Sequence, residues 1–104
     1  MTGRHIARRT LARRDFEEVV DYYLEQASVE VAMQWIAALE DALDHIVAHP
    51  RSGSPRLGHE LRIARLRSWP VTGFPYLVCY IEGEERIDVL RILHRKRDVR
   101  ASLG

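Results

Sequence analysis

The chain has 104 residues, 46% of them hydrophobic, with 16 basic and 15 acidic side chains for a net charge of +1. A single domain spanning residues 1–104 with a modest core fits that length, burying roughly two-thirds of its unfolded surface. Composition excludes a membrane span of ~20 apolar residues, a secretory signal, an intramolecular disulfide and a cysteine-based metal site, so a reduced, cytoplasmic protein is expected.

Charge is unevenly placed. Residues 1–14 carry five arginines and no acid, residues 15–49 carry nine acids and no Lys or Arg, and residues 50–104 carry eleven bases against six acids. The spacing therefore predicts an acidic helical side and a basic sheet side. All the basic residues but Lys96 are arginine, whose planar fork suits carboxylate or phosphate. A solvated surface accounts for any one of them. The whole distribution fits equally well a surface awaiting an acidic partner or nucleic acid.

Residues 4–9 read as a short edge strand around Ile6, its arginines discouraging edge-to-edge pairing. Thr10 is the cap candidate for a first helix whose apolar positions are Leu11, Phe16, Val19, Val20, Tyr23 and Ala27. Ser28 is the next cap, opening a helix about 30 Å long with the stripe Ala32, Trp35, Ile36, Leu39, Leu43 and Ile46. Pro50 ends it. The short link between the two predicts an antiparallel helical hairpin. Residues 51–60 read as loop because of Gly53, Pro55 and Gly58. A strand with one basic face is expected over Leu61–Leu66, then a turn through Trp69-Pro70 to Phe74-Pro75. Strands Tyr76–Glu82 and Arg86–Leu93, joined by Gly83-Glu84-Glu85, form a hairpin. Strict alternation puts Ile87, Val89, Arg91 and Leu93 on one face of the last strand, with Asp88, Leu90, Ile92 and His94 opposite. Apolar residues on both faces predict a sheet covered twice. Helices cover one face; the other needs the C-terminal tail or another protein, and because the tail is short a partner is the expected cover. The resulting fold class is α+β in the order β-α-α-β-β-β, with a helical hairpin on one face of a small antiparallel-rich sheet.

The run WPVTGFPYLVCYIEGEERIDVLRILHRKRD (Trp69–Asp98), preceded by the helical pair and the HPRSGSPRLG loop (His49–Gly58), resembles the ParE/RelE toxins of type II toxin–antitoxin systems. Nearly the whole chain takes part. The endings SWPVTGFPYLVCY and VLRILHRKRD, with a single lysine, look most like the ParE branch. That resemblance implies the same architecture, no cofactor, and a binding inhibitor of DNA gyrase rather than an enzyme. It implies neutralisation by a cognate antitoxin, a ParD-like ribbon-helix-helix protein whose acidic tail wraps the toxin. The resulting hetero-oligomer would reach operator DNA through the antitoxin. Its target-binding candidates are Arg62, Arg65, Arg67 and Trp69 on the second strand, with Arg91, His94, Arg95 and Arg97 at the C-terminal edge.

The RelE branch supplies an alternative, a ribosome-dependent mRNA endoribonuclease. Cleavage through the RNA 2′-hydroxyl needs a base, an acid and cationic stabilisation of the phosphate. Tyr80, Arg91, His94 and Arg97 are the nearest catalytic set, with Arg65 and Arg67 beside them. Two of them also have a structural explanation: His94 as a strand-end histidine bonded to a backbone carbonyl, Arg91 as one half of an ion pair with Asp88 or Asp98. His45 and His49 are four apart at a helix end, but without a third ligand a solvated helix terminus is the expectation and no metal is implied. Gly53 and Gly58 lack the lysine of a phosphate loop. Cys79 and Trp35 read as core, and Trp69, in a loop beside proline, fits exposure for recognition and packing equally well.

Overall fold

The computed structural model describes residues 5–99, in the order β1 (His5–Arg8), α1 (Thr10–Gln26), α2 (Val29–Ala48), α3 (Arg56–Leu61), β2 (Leu66–Pro70), β3 (Tyr76–Glu82) and β4 (Arg86–His94). The expected β-α-α-β-β-β frame is present, with one short helix added. Strands lie in the order β1-β4-β3-β2. β1 runs parallel to β4 and the other pairs are antiparallel, so the sheet is mixed. β1 is an edge strand as expected. Arg4, the first residue assigned to it from sequence, lies outside the described residues. No helix among the described residues is long and apolar enough to cross a membrane.

Ala27 and Ser28 alone separate α1 from α2. Ser28 caps α2 as expected, its Oγ accepting from the Val31 N–H at 3.1 Å. Thr10 does not cap α1. It is the first helical residue, and the N-cap is Arg9, which makes no side-chain cap bond. Its backbone instead donates to the Val89 carbonyl, docking the helix start on β4. The buried face of α1 is Ala12, Asp15 and Val19, with Phe16, Val20 and Tyr23 beside it, whereas Leu11 is exposed. α2 buries Ala32, Trp35, Leu39, Ala42, Leu43 and Ile46, close to the expected stripe.

Two departures matter for the site. Leu61–Leu66 is not a strand. The preceding residues, read as loop, form α3, which buries Leu57 while Leu61 packs against the same far-side cluster. The chain turns at Arg62–Arg65, and the strand begins only at Leu66. Pro70 ends that strand on the sheet edge, where a missing N–H is tolerated. The second departure is a β-bulge. Cys79 pairs with Arg91 and Tyr80 with Val89, so Leu90 has no opposite residue. The alternation expected for β4 therefore breaks there. Ile87, Val89 and Ile92 all join the helix-side core, while Leu93 joins the far-side cluster.

The sheet is covered on both faces, as its composition predicts. Trp35, Tyr76, Val78 and Tyr80 lie in the helix-side core. Across the sheet, Leu57, Leu66, Cys79 and Leu93 form a smaller cluster, with Leu61, Leu77, Ile81, Leu90 and Val99 partly buried against it. α3 and the C-terminal segment reaching Val99 thus supply part of the cover that the sequence assigned to the C-terminal tail or, preferably, a partner. Leu77, Ile81 and Leu90 keep part of their surface open.

Candidate partner-binding site

The eight candidates do not form one surface. Arg62 and Arg65 sit in the turn between α3 and β2, both with left-handed backbones, φ 57° and 66°. L-residues with a Cβ pay for that conformation. Here it is imposed by a braced turn: the Ile63 N–H donates to the Gly58 carbonyl at 2.9 Å and the Arg62 N–H to His59. Gly58 permits the approach, because a Cβ there would lie 2.6 Å from the Leu66 carbonyl oxygen. Both arginine side chains are exposed, and among the described residues neither has a carboxylate within ion-pair distance. Arg67 is on β2, and its guanidinium donates to the Gly53 carbonyl at 2.8 Å. The three arginines line an open groove of about 490 Å³ with Pro55, Gly58, His59, Ile63, Ala64 and Leu66.

Trp69 is not in a loop. It lies on β2, half-buried against the helix-side core, and its ring stacks on His45 with centroids 3.8 Å apart. His45 also shares a 2.9 Å hydrogen bond with the Ser52 hydroxyl. The His45/His49 pair is thus tied into the β2 side of the molecule rather than frayed. Among the described residues no three His, Cys, Asp or Glu side chains gather around a possible metal.

At the other end of the sheet, β1 stops pairing at Val89 and leaves the rest of the β4 edge open. Asp15 of α1 closes it. One carboxylate oxygen accepts from both the Ile92 N–H at 2.9 Å and Arg91 Nε at 2.8 Å, and the other accepts from Arg91 at 3.0 Å. The carboxylate partner of Arg91 is therefore Asp15, neither Asp88 nor Asp98. This bidentate bond, ahead of the nearby negative charge, raises the Arg91 pKa further. Asp88 pairs instead with Arg86 and Arg9.

His94 is half-buried. Its Nδ1 accepts from the backbone N–H groups of Lys96 and Arg97, at 3.2 and 3.1 Å, rather than bonding a carbonyl. The His94 N–H donates to Asp98 at 2.8 Å. Asp98 also holds Arg97 at 3.0 Å, and that bond, followed by the His94 N–H, lowers the Asp98 carboxyl pKa. Arg95 projects from the turn and lines a second groove with Arg56, Leu57, Ser68, Leu77 and Val99 on the far face. Tyr80 is fully buried. Its hydroxyl donates to the Pro50 carbonyl at 2.7 Å and accepts from the Gly53 N–H at 3.1 Å, and burial foremost raises its pKa.

Residues 6–99 match the family described as the ParE toxin of type II toxin–antitoxin systems, parDE. This chain belongs to the ParE toxin family. Toxin ParE1 of Mycobacterium tuberculosis is 33% identical over 92 residues, covering 88% of this chain and 90% of that one. Toxin ParE1 of Caulobacter vibrioides is 28% identical over 93 residues, covering 89% and 91%. A solved structure titled as the chromosomal ParDE TA system from P. aeruginosa shares the fold, with a TM-score of 0.73 at 17% identity over 88% of this chain and 95% of that one.

In this ParE-family chain, then, the candidates separate by role. Arg62, Arg65 and Arg95 point charge outward, while Arg67, Trp69, Arg91, His94 and Arg97 also bind their own chain. Two contributors were missed from sequence. Asp15 sits on the buried face of α1, and its spacing from Ala12 and Val19 was the available signal. Leu57 and Leu61, four apart, were the signal for α3, obscured by Pro55 and Gly58.

Proposed function

We propose that this chain is the toxic half of a toxin–antitoxin pair, acting in the cytoplasm by binding DNA gyrase. A cognate ParD-like antitoxin, of the ribbon-helix-helix type, neutralises it. The two form a hetero-oligomer that meets operator DNA through the antitoxin. The observation that carries a binding role is the engagement of the groups a nuclease would use. The Tyr80 hydroxyl is buried and bonded twice by the Pro50–Gly53 loop, and Arg91 is held by Asp15. His94 Nδ1 already accepts two backbone N–H groups. Tyr80 and Arg91 are thus committed to the fold and His94 keeps only its Nε2 edge for proton transfer, which leaves the set without the second acid–base group that cleavage at a phosphate needs.

Target contact falls to the outward arginines Arg62, Arg65 and Arg95, with Arg67, Trp69, His94 and Arg97 completing the two edges. Charge reversal at Arg91 would set a carboxylate against Asp15 and report on folding, so Arg62→Glu and Arg95→Glu are the cleaner probes. The deciding experiment induces the chain alone in a bacterial host and follows thymidine and methionine incorporation together. Early arrest of DNA synthesis with translation intact is the expected outcome. Translation failing first would replace this reading with the ribosome-dependent nuclease.

A further inference from the structure

We infer that this chain associates with itself head to tail. The basic start of α1 on one copy seats Leu11 in the acidic groove between α2 and the β2–β3 turn of a second copy. Of the residues assigned above to target contact, only Trp69 is shared, so this contact stands or falls apart from the gyrase reading.

The groove is a trough of about 550 Å³ floored by Ala37, Ala38 and Ala42 of α2 and walled by Trp69 and Phe74. Alanines leave room that larger side chains would fill. The wall is fixed in advance: Trp69 stacks on His45 at 3.8 Å, and Phe74 meets both Tyr23 and Trp35 edge-on at 5.5 Å. An aromatic surface already held in place lowers the ordering cost of binding.

Along the outer face of α2, Met33 and Asp41 lie one turn to either side of Ala37, and Glu30 and Asp44 lie two turns away. Met33 is 64% exposed. Among the described residues, Glu30, Asp41 and Asp44 have no basic side chain within ion-pair distance. The face thus has an apolar centre with carboxylates at its ends. Nucleic acid and acidic peptides meet like charge there, and residues 15–49 supply no Lys or Arg to offset it. The occupant must be basic around an apolar side chain.

The start of α1 carries that inverse pattern. Leu11 is 48% exposed, and Arg8 and Arg14 flank it in the chain. Among the described residues neither arginine has a carboxylate within ion-pair distance, and their planar forks suit one. The segment is also anchored, since the Arg9 N–H donates to the Val89 carbonyl at 3.0 Å. Seating Leu11 on Met33 and the alanine floor removes apolar surface from water on both copies and brings the arginines to the acids. Because the two patches are different surfaces, each contact leaves one groove and one Leu11 unused, and growth passes the dimer.

The test is sedimentation velocity of the intact chain. At low salt its weight-average mass is expected to rise with concentration past that of a dimer, and added salt should weaken the association. Leu11→Ser with Arg14→Glu removes the basic patch, and Met33→Ser with Ala37→Glu blocks the groove. All four positions are exposed, so each double variant should keep its circular dichroism and sediment as a monomer. Mixed, the two should form a one-to-one complex that grows no further, since the first keeps its groove and the second its Leu11. A chain that is monomeric at every concentration, either double variant still self-associating, or a mixture that stays monomeric would overturn the assignment.

Discussion

At the scale of single residues, burial and pairing decide chemistry that residue type leaves open. Cys79 is 2% exposed, and burial foremost pushes its thiol pKa up to about 12. The native protein should resist a thiol-specific reagent at neutral pH and react fully in denaturant, so rapid native labelling would contradict the packing. Asp15 holds Arg91 and the Ile92 N–H together. Asp15→Ala leaves a backbone donor unmet and a cation unpaired. Because the Arg91 side chain is 44% exposed, the cost should fall near about 2–3 kcal/mol, measured by urea unfolding. Asp98 carries a pH signature. Its folded pKa lies below the ordinary 3.8, so its contribution is present above that value and is lost as pH falls through the depressed one. The stability gap between the native chain and Asp98→Asn should therefore be constant near neutrality and close in acid.

Elements show where local signals suffice and where they mislead. Ser28 caps α2, and Ser28→Ala should cost about 1 kcal/mol without altering the fold. α3 has the opposite history. Pro55 and Gly58 mark a loop, yet Leu57 and Leu61 share a helical face and pack under the sheet. The glycine is needed for the close passage of the next turn, so a residue that usually breaks helices here lets one pack. Tyr80 links the elements. Gly53 passes so near its ring that an added Cβ would sit 2.2 Å from the hydroxyl oxygen. Tyr80→Phe should destabilise by about 1–3 kcal/mol, seen as a lower urea midpoint, because it strands the Gly53 N–H and the Pro50 carbonyl. If Tyr80→Phe instead kept full stability while abolishing toxicity, a direct functional role for the phenol would have to be restored.

For the molecule as a whole, β3 and β4 contribute to both hydrophobic clusters. Removing either cover exposes the same strands, so the two sides should be lost together. Far-UV circular dichroism and tryptophan fluorescence, reading Trp35 in the core and Trp69 at the α2–β2 edge, are expected to trace coincident urea transitions. Two separated transitions would mean that α3 and the far face melt independently. The distribution of charge survives folding. α1 and α2 carry the acids of residues 15–49, and the outward arginines lie on the turn before β2 and after β4.

Periodicity determined the two long helices, the β3–β4 hairpin and the two-faced sheet, because each is written in spacings of two or three to four residues that a chain carries wherever it folds. Alternation failed at the bulge, where one extra residue in β4 shifted the phase beyond Leu90. The motif at Trp69–Asp98 was enough to place the chain near the ParE toxins. Tertiary structure alone decided which arginines are open. Asp15 and Arg91 are 76 residues apart, and no local pattern reveals that they meet. Nor does composition say that Arg62 and Arg65 stand unpaired beside Ile63 while Arg67 turns inward to Gly53. Long-range pairing consumes some charges and spares others, and in this chain the spared ones mark the candidate site.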